Sequence, residues 1–86
     1  MSIVEFTEFL VKSLVKEPDM VSVKQFDDEE DVTVIQVLVD DNDMGAVIGR
    51  SGNIAKAIRT LVQASAHTIG KKVKIDIWKE KKIWMY

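Results

Sequence analysis

The sequence predicts an α+β domain in the order helix, strand, strand, helix, helix, strand, with a three-stranded mixed sheet and all helices on one face. Three observations carry that expectation. Apolar residues recur at helical spacing over residues 3–15 and again over 53–69. Apolar, largely β-branched or alternating runs occupy 20–26, 32–39 and 72–78. Turn residues fall between these segments: Pro18, five consecutive acids at 27–31, glycines at 49, 52 and 70.

Ser2 and Glu5 form a capping box, so a helix is expected to start near Ile3. Ile3, Phe6, Leu10 and Leu14 make its core stripe, widened by Val4, Val11 and Val15, and Pro18 requires it to stop near Glu17. Residues 20–26 alternate weakly, as a short strand does. The acids at 27–31 repel one another too strongly to sit inside a sheet and are read as a solvated hairpin loop. Residues 32–39 look like a central strand covered on at least one face. The run Asp40-Asp41-Asn42-Asp43 fails the EF-hand pattern, with Met44 and Ser51 at two ligand positions. Capping is the better explanation, with Asp43 as N-cap of a short helix.

Two glycines then bracket a basic and a hydroxyl residue in Gly49-Arg50-Ser51-Gly52, before a long helix from Asn53. Such a loop can turn its N–H groups outward at a helix N-terminus, a place suited to a phosphate, although the motif alone is common in ordinary turns. The apolar face of the long helix spans roughly 200°, more than one sheet covers. The surplus is expected to line a groove or meet another chain, while Lys56, Arg59, Gln63 and His67 take the polar side. Gly70 closes the helix. In 72–78, Val73, Ile75 and Ile77 point one way and Lys72, Lys74, Asp76 and Trp78 the other.

Composition narrows the function classes. Eighty-six residues make one domain, 1–86, with 79–86 read as an aromatic tail free to move. No apolar run is long enough to span a bilayer and no signal peptide opens the chain, so no membrane association is expected. Cysteine is absent, which excludes disulfides and thiolate metal sites and favours the cytoplasm. Residues 1–45 hold 12 acids and 3 lysines, and 46–86 hold 9 basic residues and 2 acids, so net −9 stands against net +7. Either these are solvated faces of opposite sign or the basic half meets a polyanion. His67, the single histidine, has no nucleophile at a useful spacing, and the carboxylates lie in loops. No enzyme activity, metal, cofactor or small-molecule substrate is therefore expected.

The element order together with Val47-Ile48-Gly49-Arg50-Ser51-Gly52, followed by Ile54, Ile58 and Leu61, resembles a KH domain of the type II order over essentially the whole chain. Among these it is most similar to the small stand-alone bacterial RNA-binding proteins of the KhpA type. One position departs from the usual pattern. Ala55 stands where a large aliphatic residue is common, with Ile54 beside it, and the first helical turn is expected to be rotated or repacked. The resemblance implies about four nucleotides of single-stranded RNA held in a groove, with Gly49, Arg50, Ser51, Gly52 and Asn53 on the backbone side. It further implies Val47, Ile48, Ile54 and Ala55 as the nearby floor, the edge of the second strand opposite, and Lys56 and Arg59 adding charge. No aromatic residue adjoins the loop, so no stacking platform is expected beside it. A post-transcriptional regulator or RNA chaperone is implied, acting as a homodimer or with a larger KH-containing RNA-binding protein. The dimer surface is expected on Ala57, Leu61 and Ala64 of the long helix, in preference to a second candidate on the aromatics Trp78, Trp84 and Tyr86. The rival reading is a protein–protein module that keeps the fold and binds little nucleic acid.

Overall fold

The computed structural model describes residues 2–28 and 30–80. The elements are α1 (Ile3–Lys12), β1 (Ser22–Asp27), β2 (Val32–Asp40), α2 (Met44–Ile48), α3 (Asn53–His67) and β3 (Lys72–Glu80). Single 3-10 turns occupy Pro18–Met20, Asp41–Asp43 and Arg50–Gly52. The sheet runs β1-β2-β3, with β1 antiparallel to β2 and β2 parallel to β3. This is the predicted α-β-β-α-α-β order. The trailing aromatics Trp84 and Tyr86 lie outside the described residues.

The alternation of β2 sets the two faces. Thr33, Ile35, Val37 and Val39 are buried, and with Val73 and Ile75 they meet Val11, Val47, Ile58, Val62 and Ala66 in one core. The helices therefore cover a single face, α1 against β1 and α3 against β3. On the open face the register places Phe26 beside Val34 and Lys74, Lys24 beside Gln36 and Asp76, and Ser22 beside Leu38 and Trp78.

The hairpin turns on local carboxylate chemistry. Asp28 Oδ1 accepts the N–H groups of Glu30 at 2.8 Å and Val32 at 3.0 Å, and Asp31 takes a positive φ of 61°. At the other end of α3, Gly70 has φ 74°, its N–H bonds to His67 O at 3.0 Å, and Lys71 N–H bonds to Ala66 O at 3.0 Å. This pair of bonds is a Schellman closure.

Three local expectations need correction. The capping box is present, but α1 ends at Lys12 rather than near Glu17, and Leu14 lies in an exposed turn. The buried line of α1 runs through Thr7 and Val11; Thr7 sits in the core because its hydroxyl donates to Ile3 O at 2.8 Å. Asp43 precedes α2 but makes no side-chain capping bond. Its buried carboxylate instead accepts the N–H groups of Lys16 at 3.1 Å and Glu17 at 3.0 Å, tying the chain after α1 to the start of α2. Asp40 does the local capping, accepting from Asn42 N–H at 3.0 Å.

Candidate nucleic-acid interface

The loop between α2 and α3 is built from unusual backbone. Gly49 has φ 77° and ψ 177°, a region open essentially only to glycine. A Cβ there would stand 2.5 Å from Ile54 Cγ1. Ile54 thus packs directly over the loop's first glycine, while Ala55 turns into the core. Ser51 and Gly52 both adopt left-handed conformations, at φ 56° and 75°.

Within the turn, Gly49 N–H bonds to Gly45 O at 2.9 Å, Gly52 N–H to Gly49 O at 3.2 Å, and Asn53 N–H to Arg50 O. Among the described residues the N–H groups of Arg50 and Ser51 have no backbone acceptor. They stand next to the first turn of the 15-residue α3, whose N-cap, Gly52, supplies no side-chain acceptor. Free amides and a helix N-terminus together favour an anion. Arg50, Ser51, Asn53 and Lys56 are exposed there. Two acids of the neighbouring turn, Asp40 and Asp43, are occupied by backbone amides. The acidic hairpin lies at the opposite end of the strands, beside Lys71 and Lys72.

The predicted site residues fall into distinct environments. Ile48, Gly49, Gly52 and Ile54 are half-buried around the loop, whereas Val47 and Ala55, expected on the floor, are sealed in the core. Arg59 reaches across to β3: its Nε donates to Ile75 O at 3.4 Å, and one turn on, Gln63 Nε2 donates to Val73 O at 3.5 Å. The strand facing the polar side of α3 is therefore β3. The expectation that the second strand offers an edge is corrected, because β2 is central and hydrogen-bonded on both sides. Among the described residues, β1 and β3 are the edge strands. The sequence pattern held no signal for the Arg59 and Gln63 contacts, which require knowing that β3 runs beside α3.

The opposite side of α3 is apolar. Ala57 and Leu61 with Phe9, Leu10, Leu14 and Ile54 line a groove between α1 and α3, Phe9 being 57% and Leu61 49% exposed. Ala64 is exposed farther along the same helix. Sequence reading missed Phe9 because it falls outside the stripe assigned to α1. No helix among the described residues is long and apolar enough to cross a membrane.

The model of the KhpA/KhpB KH-domain family matches residues 4–77. The chain belongs to that family. Its relatives include proteins named RNA-binding protein KhpA. The one from Clostridium perfringens is 45% identical over 73 residues, covering 85% of this chain and 96% of the relative. The one from Borreliella burgdorferi is 40% identical over 74 residues, covering 86% and 89%. Among solved structures, Era in complex with MgGDPNP and nucleotides 1506–1542 of 16S ribosomal RNA superposes with a TM-score of 0.65 at 22% identity. The match covers 90% of this chain and 29% of that one, and it attests the KH fold alone.

Proposed function

We propose that this chain binds single-stranded RNA, about four nucleotides at a time, with the backbone against residues 49–52 and the bases between α3 and the free edge of β3. The observation that supports this most directly is the loop itself. In a KhpA/KhpB-family chain, the amides of Arg50 and Ser51, without a backbone acceptor among the described residues, precede a helix N-terminus and follow a glycine that lets a backbone approach closely. Ile48, Asn53 and Ile54 serve as the near wall, Val47 and Ala55 as its support, and Lys56 and Arg59 as flanking charge. The outward carbonyls of Val73 and Ile75, already used by Gln63 and Arg59, mark where base edges compete for strand hydrogen bonds.

One such groove is weak, because each exposed phosphate contact contributes only about 1 kcal/mol and is screened by salt. We therefore read the protein as a cytoplasmic post-transcriptional regulator or RNA chaperone. It gains avidity as a homodimer or by pairing with a larger KH-containing protein. The exposed apolar groove between α1 and α3 favours such assembly, and equally supports a protein-binding module if RNA binding fails.

The test replaces Arg50 and Ser51 by Asp together. Both glycines remain, so the turn survives, while a positive and a neutral side chain become two negative ones. Binding of a labelled single strand is expected to weaken by about one to two orders of magnitude, with the folded circular dichroism spectrum unchanged. Wild type is expected to bind less tightly as salt rises, with a slope reporting a few phosphates. Equal binding by both proteins would transfer the function to the protein-interaction reading.

A further inference from the structure

The open face of the sheet carries chemistry that the loop reading does not use. Phe26 on β1 and Trp78 on β3 stand on it 50% and 54% exposed, values unusual for large aromatics of a small domain. By register they sit at opposite corners, two strands apart and four residues along, roughly 16 Å from each other. Between them lie Val34, Leu38, Gln36 and the exposed Lys24 and Lys74. Asp76 lies within this patch and Asp40 follows Leu38 on the same face, so positive charge is local to Lys24 and Lys74.

We propose that this face is a second contact surface for single-stranded RNA. On it, Phe26 and Trp78 stack bases, Lys24 and Lys74 meet phosphates, and Gln36 hydrogen-bonds a base edge. The ligand class rests on the reading above, but the site does not: it lies across the sheet from the glycine loop. A face covered by another protein favours continuous apolar contact, whereas here the apolar pairs Phe26–Val34 and Leu38–Trp78 are separated by a Lys24–Gln36–Asp76 row. Separated aromatic faces with cations between them match a strand of bases joined by phosphates. A β-sheet can stack two or three bases in this way, and stacking tolerates sequence because every base has a π-face. A strand long enough to leave the loop and pass around the β3 edge engages both surfaces of one protomer.

The experiment uses the full chain carrying Trp84→Phe, so that Trp78 is the single tryptophan. A labelled strand of about twelve nucleotides, within the usual range of single-strand binders, is followed by anisotropy and by Trp78 emission. Saturable quenching of Trp78 is expected, and Phe26→Ala or Trp78→Ala is expected to weaken binding about tenfold. Trp78→Phe keeps a stacking ring and is expected to stay within about threefold of the parent. Lys24→Glu combined with Lys74→Glu is expected to raise the quenching midpoint. In the Arg50→Asp, Ser51→Asp protein, quenching is expected to persist with a weaker midpoint. Anisotropy binding without any change at Trp78, and with Trp78→Ala unaffected, would overturn the second surface and leave the loop reading standing. Absence of binding by either readout would overturn both. If Trp78→Ala instead changes only the sedimentation of RNA-free protein, the face is an interface between copies, and the proposal fails. Circular dichroism confirms that each variant is folded.

Discussion

At Gly49 two constraints meet on one atom. The backbone sits at φ 77°, ψ 177°, and the space a Cβ needs is held by Ile54 Cγ1 at 2.5 Å and Ile54 Cβ at 2.8 Å. Gly49→Ala therefore adds overpacking to backbone strain, and urea unfolding is expected to register a loss of about 3 kcal/mol or more. Gly52 shares the positive φ, at 75°, but a Cβ there meets nothing within 4 Å, so Gly52→Ala is expected to cost about 1–2 kcal/mol. Gly45, inside α2 with ordinary helical φ and open space around it, gives the opposite sign. Gly45→Ala is expected to stabilise by about 0.5–1 kcal/mol. Adding Ile54→Ala to Gly49→Ala removes the clash and leaves the strain, so the two losses are expected to be less than additive. Equal costs at 49, 52 and 45 would mean the loop is not held in this geometry. The sequence exposed the glycine spacing and the anomaly at Ala55. That Ile54 is the residue pressed on Gly49 depends on the rotation of the first turn of α3, which no spacing encodes.

Between elements, the decisive contact is one carboxylate. Asp43 is buried and accepts two backbone N–H groups from the segment following α1, 26 and 27 residues earlier in the chain. Asp43→Ala leaves both donors without their acceptor, and a loss of about 2–4 kcal/mol is expected. Asp43→Asn keeps one acceptor oxygen and is expected to lose roughly half as much. A loss below about 0.5 kcal/mol for Asp43→Ala would show that water replaces the bond. At the start of α1, the Ser2 N–H donating to Glu5, followed by the Ser2 hydroxyl, holds the Glu5 carboxyl below its ordinary value. The depressed folded-state pKa means that this cap contributes above the unfolded carboxylate range and is lost as pH falls through the folded value. Glu5→Gln is thus expected to flatten the acid side of the stability curve slightly, and a pH series of urea midpoints checks it. This contrast marks how far local sequence goes. The capping box, the hairpin of acids, the alternation in β2 and the glycine after α3 all act within a few residues and were legible. Asp43 looked like a cap because its long-range donors are invisible in order along the chain. The edge position of β3 was already implied by the sequence: once 32–39 is read as the central strand, both its sides are paired and the free edge beside α3 falls to the last strand.

Across the whole molecule, charge and apolar surface are segregated by the topology. The parallel crossover sends β2 away from the acidic hairpin and returns α3 to it, which separates Asp27, Asp28, Glu30 and Asp31 from the loop at 49–52 by the length of the sheet. A polyanion approaching the loop meets Arg50 and Lys56 first. On the other side of α3, Leu61, Ala57, Phe9 and Leu14 leave an apolar groove open to solvent in the protomer. A two-fold dimer apposing this surface to itself would bury it in both copies at once, joining two loops into one bivalent RNA binder. Leu61→Glu sets a charge in that contact, and the dimer is expected to weaken by about two orders of magnitude, or ~2.7 kcal/mol. Leu61 is half exposed in the protomer, so urea unfolding of the monomer is expected to shift by no more than about 0.5 kcal/mol. Phe9→Ser, from the α1 wall, is expected to act in the same direction, whereas a dimer built on α3 alone would spare it. When dimerisation is lost, RNA affinity for long strands is expected to fall, while a strand of about four nucleotides binds unchanged, since one groove is enough for it. Sedimentation at roughly tens of micromolar, a concentration at which weak dimers persist, decides the matter: a wild-type monomer there would remove the dimer, and with it the avidity.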